Sequence, residues 1–369
     1  MQRFIFSVSL FLVLSCESPS LPLISSIDYN IEWMSGSTRD ILIFKDTLFV
    51  ANESDGIIMY SLNQEAGKVE SIEKIWDNTS FSQSQNKSFR RVDFDTSRKV
   101  LYGVDNFDYT YFIDFLNLTQ DSNLIDSPEI VSCTGATNNV TRIELLNNYN
   151  ETGKSEYIAL FKNNGSSGAW SKVSKMEISF QVNPYVESLY TSSFSCDDSN
   201  QIENLSYYVT DIDLVYDQRN DATLVGISNS SSTDYRSEIY SLKNGQFSYL
   251  DASFFTKKPN TIKFFKNQDE SVSVAVGLSD GGGCYIELLD VDGKIIENSN
   301  RLHLADGYSV LDVEVVDEEI LLSLGINGVQ VYSLEGLFIK GIVSGHAYCS
   351  SKYGSSYIIG TKNGLEVFN

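Results

Sequence analysis

Five charged residues recur in this 369-residue sequence at a regular distance: Asp40, Arg91, Arg142, Asp211 and Asp312. With Thr261 filling the gap, successive members are 51, 51, 69, 50 and 51 residues apart. Each stands directly before a β-branched residue, namely Ile41, Val92, Ile143, Ile212, Ile262 or Val313. His346 sits near the place where a seventh member falls. Arginines at equivalent positions of adjacent units could clamp a carboxylate or sulfate, because guanidinium forks bond planar or tetrahedral anions in pairs. The competing reading is that the charges pair with one another and only satisfy strand ends. Other chemistry is thin. His303 and His346 are the only histidines and have no metal-ligand spacing. No G-x-S-x-G elbow is found, SDGGGC (279–284) is read as a loop, and Asp292-Gly293 as a hairpin turn. The 49 acidic residues offer many acid/base pairs without selecting one at glycosidase separation.

The elements that position these residues follow from the repeat. RDILIF (39–44), RRVDFD (90–95), TRIELL (141–146), TDIDLV (210–215), NTIKFF (260–265) and LDVEVV (311–316) share one alternating pattern. Each is followed by an apolar run ending in a small residue, such as LFVA, VLYG, TLVG, VAVG and YIIG, then by a turn and a third apolar run. Three or four short strands every fifty residues is the sequence form of a propeller blade. The inner runs are apolar at successive positions, as stacking on both faces requires. The fold class expected is therefore all-β, a seven-bladed β-propeller. GKVESIEKIWDN has helical spacing of Val69, Ile72, Ile75 and Trp76 but is assigned as the outer strand of the first unit, and KIIE (294–297) as that of the fifth. The last unit lacks an outer strand, which IDYNIEW (27–33) is expected to supply. The long third unit is expected to place its extra residues in loops at 147–156 and 163–170.

At the amino end, Arg3 precedes an apolar run from Phe4 to Leu14 and then Ser15-Cys16. The run is too short to span a bilayer and reads as a signal peptide. Val-Leu-Ser-Cys at 13–16 is similar to a bacterial lipobox, which implies lipidation of Cys16. The domains expected are thus 1–15 signal peptide, 16–26 lipid-anchored tether and 27–369 propeller. Location follows as an outer-membrane or cell-surface lipoprotein, or else periplasmic or secreted. The 49 acidic against 27 basic residues give a net charge of −22, which disfavours nucleic acid as a partner. A protein or glycan partner and a monomeric state are expected. No cofactor is implied; calcium is the one ion the acidic loops could hold, and no metal site is assigned. Cys133, Cys196, Cys284 and Cys349 permit three disulfide connectivities, of which Cys133–Cys196 is the one the strand pattern suggests; the alternative is buried free thiols.

DILIFKDTLFVANESDGIIMYSL (40–62) resembles the repeat of the bacterial LVIVD-repeat propellers, with the signature Asp replaced by Ser61 and Ser333. The resemblance implies the propeller fold and an exterior location, not an activity. Ligands of propellers meet the mouth of the central channel, where the charged series converges. The function expected is non-enzymatic binding or scaffolding. The alternative is a carbohydrate-active hydrolase or lyase, which carboxyls of raised pKa at the mouth would favour.

Overall fold

The structure is a computed structural model. It describes residues 23–24, 29–31, 36–77, 88–95, 100–106, 110–114, 139–149, 154–163, 170–182, 189–205, 209–230, 234–296 and 301–369. Cys16, the signal segment and most of the tether lie outside them, as does Cys133.

Among the described residues all regular structure is β, and the strands fall into seven sheets. In each sheet, strands consecutive in sequence pair antiparallel. The first sheet runs Thr38–Phe44, Thr47–Asn52, Gly56–Glu65 and Lys68–Asp77. The first strands of the other six are Phe89–Asp95, Asn139–Tyr149, Val209–Asp217, Pro259–Lys266, Asp312–Val316 and Ala347–Tyr353.

The apolar second strands have a simple cause. In Thr47–Asn52, Leu48 and Val50 pack into a cluster with Ile358, Leu365 and Val367 of the seventh sheet. Phe49 and Ala51 point the other way, against Phe89, Val92 and Leu101 of the second. Alternate side chains leave opposite faces of a strand, so a sheet covered on both faces needs both sets apolar. Equivalent clusters join the third and fourth, fourth and fifth, fifth and sixth, and sixth and seventh sheets. Between the second and third, Tyr102 meets Tyr157 edge-on at 5.8 Å. The glycines within the second strands are a packing requirement. A Cβ on Gly103 would lie 2.5 Å from Ile57 Cδ1 of the first sheet, and one on Gly226 would lie 2.8 Å from Ile262 Cδ1 of the fifth.

The Lys68–Asp77 segment is a strand, and its helix-like spacing comes from two register shifts against Gly56–Glu65. Each shift leaves one residue unpaired and resets the two-residue alternation, so Val69 and Ile72 are both buried although three apart. The fifth sheet corrects an expectation. Its fourth strand is Leu302–Leu304, and the KIIE stretch contributes only a bridge between Leu289 and Ile295. The third sheet corrects another, because its extra residues lengthen strands: Asn139–Tyr149, Lys154–Asn163, Trp170–Val182 and Leu189–Leu205.

Tyr29–Ile31 pairs antiparallel with Gly364–Phe368, placing Asn30 opposite Glu366, and is the fourth strand of the seventh sheet. Upstream, Leu23 and Ile24 pair parallel with Gly341 and Ile342 of the sixth sheet. Sheet pairing therefore begins inside the segment expected to be a free tether.

Candidate functional site: a charged cavity between the first strands

The recurring polar residues are aimed by a recurring irregularity. In six of the seven first strands the register slips by one residue, at Thr38/Asp40, Phe89/Arg91, Val140/Arg142, Val209/Asp211, Pro259/Thr261 and Ala347/Cys349. A β-bulge at this point bends the strand and re-aims the following side chain. The residues after the slip are the series read from the sequence, with Cys349 rather than His346 as the seventh. In the sixth sheet Asp312 takes the corresponding place opposite Ser323.

Asp40, Arg91, Arg142, Asp211 and Asp312 line one cavity of about 270 Å³. His346 does not line it, which corrects the expectation. Its ring packs on Tyr348 with centroids 4.7 Å apart, and its carbonyl accepts the Lys362 amide. The error has a sequence cause, because Ser350 stands where the other units have a β-branched residue. Five further charged residues of the cavity escaped the sequence reading: Asp93, Glu144, Lys263, Glu314 and Lys352. The first four lie two positions beyond their series members, and strand period alone places them on the same face.

The site thus has two storeys of charge, and most of the carboxylates already have work. Asp40 accepts the amides of Ile41 and, in the next sheet, Val92, both at 3.0 Å. Asp211 Oδ2 accepts Thr261 Oγ1 at 2.9 Å and the Ile262 amide at 3.3 Å. Asp213 accepts the Phe264 amide at 2.5 Å, and Asp93 the Phe94 amide and the Tyr102 hydroxyl, each at 2.7 Å. These acceptors latch one first strand to the next, or to its own hairpin. Arg142 is likewise engaged. Its Nε lies 2.8 Å from Glu144 Oε1 and 3.4 Å from Asp211 Oδ1, without hydrogen-bond alignment to either. For Arg142 the self-pairing reading of the ring therefore holds.

Three groups are held loosely. Lys263 Nζ is 3.6 Å from Glu314 and 3.9 Å from Asp213. Among the described residues Arg91 has a single 3.9 Å approach, to Asp211 Oδ1. Asp312 has neither a hydrogen bond nor an ion pair among the described residues. Burial dominates the acidities. It raises the Asp312 carboxyl to about 7, partly offset by Arg91. Burial also raises Asp40, Glu144 and Asp213, against the pull of Arg91, Arg142 and Lys263 respectively.

Other sequence candidates resolve as structure. The G-x-S-x-G spacing does occur, at Gly277-Leu278-Ser279-Asp280-Gly281, contrary to the sequence reading. It leads from strand to loop to strand with no helix, and Ser279 Oγ donates to the Lys258 carbonyl, so it is no nucleophile elbow. Asp290 accepts the amides of Asp292 and Lys294 across a tight turn. No cluster of three potential metal ligands occurs among the described residues. Cys284 and Cys349 are buried free thiols. Cys196 lies in the Leu189–Leu205 strand, and its expected partner Cys133 is outside the described residues.

No protein-family model matches the sequence, and no curated protein does. Solved structures do. The WD40 β-propeller domain of Doa1 is similar with a TM-score of 0.54 at 12% identity, covering 95% of this chain and 97% of that one. Saccharomyces cerevisiae Sqt1 gives 0.53 at 10%, covering 94% and 98%. BBS1N, solved in complex with ARL6DN, gives 0.52 at 14%, covering 94% and 97%. At these identities the likeness carries the fold alone, and that fold is a β-propeller.

Proposed function

We propose that this chain is a seven-bladed propeller that binds a small polar ligand in its central cavity as a non-enzymatic binding or scaffold module. The observation that carries the reading is the cavity itself, ringed by first strands and holding charged groups that the fold leaves partly unsatisfied. Two facts support a closed seven-membered ring: the Tyr29–Ile31 pairing on the last sheet, and the apolar cluster shared by the first and seventh sheets. Closure removes the open edges that make isolated sheets aggregate. Export and a lipid anchor on Cys16, at an outer membrane or cell surface, complete the reading, in keeping with the resemblance to LVIVD-repeat propellers. A protein or glycan partner on the rigid outer faces is compatible with it.

The carbohydrate-active alternative has one observation in its favour, the raised carboxyls of the cavity. Two-carboxylate hydrolysis needs both groups free to act on a substrate. Here Asp40, Asp93 and Asp211 accept hydrogen bonds within the fold, while Glu144 and Glu314 face cations, which leaves Asp312 alone of the six cavity carboxyls among the described residues. Binding is the better-supported reading.

The test is calorimetric titration of the purified chain with a panel of neutral sugars, uronic acids, dicarboxylates and free amino acids, beside Arg91→Gln. Saturable binding that the variant weakens supports the proposal. Silence across the panel, or release of reducing ends from a glycan panel that Asp312→Asn abolishes, overturns it. Palmitate labelling of cells with a Cys16→Ala control tests the anchor; absence of label on the unmodified chain removes that part.

A further inference from the structure

We propose that the cavity selects a small zwitterion, a molecule carrying a carboxylate and a protonated amine as a free amino acid does, with Arg91 taking the carboxylate and Asp312 the amine. The inference rests on the binding reading above and names its ligand class. Arg91 comes from the second sheet and Asp312 from the sixth, and both line the cavity. A guanidinium offers five donors. Those of Arg91 make no hydrogen bond among the described residues beyond the loose approach to Asp211. Asp312 is the matching acceptor, without a partner among the described residues. The Arg91 charge acts on the Asp312 carboxyl, yet no ion pair joins the two among the described residues. A gap between opposite charges that sense but do not touch each other fits a ligand inserted with its own charges reversed.

The rest of the lining argues against simpler ligands. Six carboxyl groups and four cations line the cavity, so a plain anion on Arg91 would face an acidic wall. A plain cation on Asp312 would leave Arg91 unneutralised, and a neutral sugar would bury both charges without cancelling either. Asp211 adds an independent sign of incomplete pairing. Its side chain is 3% exposed, and Oδ1 has no hydrogen bond although two guanidinium groups converge on it. The 270 Å³ volume lies just below the usual range of drug-sized pockets, which suits a single amino acid rather than a peptide.

The experiment titrates the purified chain with the common free amino acids and, as single-charge analogues, with propionate and ethylamine. At least one amino acid is expected to bind with a dissociation constant below about 10 mM. Propionate and ethylamine are expected to bind about 10- to 100-fold more weakly, because each lacks one charge-assisted contact. Arg91→Gln and Asp312→Asn should each weaken the amino acid by a similar factor, with ligand-free melting curves confirming that both variants fold. The analogues test the same claim on the unmodified chain if a variant does not fold. Propionate or ethylamine binding as tightly as the amino acid overturns the inference, as does amino-acid binding indifferent to both variants. If a sugar or dicarboxylate binds in an Arg91-dependent way and no amino acid does, the binding reading stands and the zwitterion inference fails. If nothing binds, both fail.

Discussion

Replacing Asp312 by Asn removes one ionisation from the cavity while nearly preserving shape, so it isolates the cost of a buried charge as a function of pH. In the folded chain this carboxyl holds its proton to about pH 7, whereas a free one releases it near 3.8. A carboxyl whose folded pKa is raised stabilises the fold fully below the unfolded value, and that stability is lost as pH rises toward the folded value. At about 1.4 kcal/mol per unit, the linkage gives a penalty near 0.5 kcal/mol at pH 4, near 2 at pH 5 and levelling near 4 above pH 8. Partial exposure of the side chain screens this, and about 2 kcal/mol is a fair plateau. Asp312→Asn should therefore match the unmodified chain near pH 4 and exceed it in stability by about 2 kcal/mol at pH 8. Denaturant midpoints at equal slope, measured from pH 4 to 8.5, give the difference directly. A difference that does not change with pH refutes the reasoning. So does a variant that becomes less stable than the parent as pH rises, since Arg91 would then over-compensate burial.

Removing residues 27–36 strips the outer strand from the last sheet, with its three registered pairs against Gly364–Phe368. At about 1 kcal/mol per lost hydrogen bond, the melting temperature should fall by at least several degrees, and an unchanged value by calorimetry would mean the strand contributes nothing. Asp213→Ala leaves the Phe264 amide without its acceptor and should cost about 1–3 kcal/mol in urea unfolding at pH 8. Gly226→Ala drives a methyl into Ile262 and Phe264 and should cost a comparable amount, read by the same assay. Cys284 and Cys349 are buried, with thiol acidities pushed to about 12 and well above the usual value respectively, so neither should react with a thiol reagent until denaturant is added.

The sequence by itself determined the repeat, and through it much of the site. Short runs apolar at successive positions, bounded by turns and recurring every fifty residues, fit strands covered on both faces, and glycine or alanine late in such a run marks where a neighbouring sheet comes close. The polar series before the β-branched anchors was legible for the same reason: six of its seven named residues, Thr261 included, line the cavity because equivalent strands meet at one place. What sequence could not carry was phase. The bulges in Lys68–Asp77 imitate helical spacing, and in the seventh sheet Ser350 replaces the anchor, so His346 was put three residues from the position that Cys349 holds. The second storey at Asp93, Glu144, Lys263 and Glu314 was open to the same strand logic and was passed over.

Only the tertiary structure decided which charges are occupied. Asp40 and Asp312 look alike in sequence, each an acid before a β-branched residue. One accepts a backbone amide of the neighbouring sheet and the other faces the cavity without a partner among the described residues. That difference arises from how adjacent first strands approach, a distance between residues about fifty positions apart. Local pattern has no access to such distances, and they decide which side chains a ligand can use.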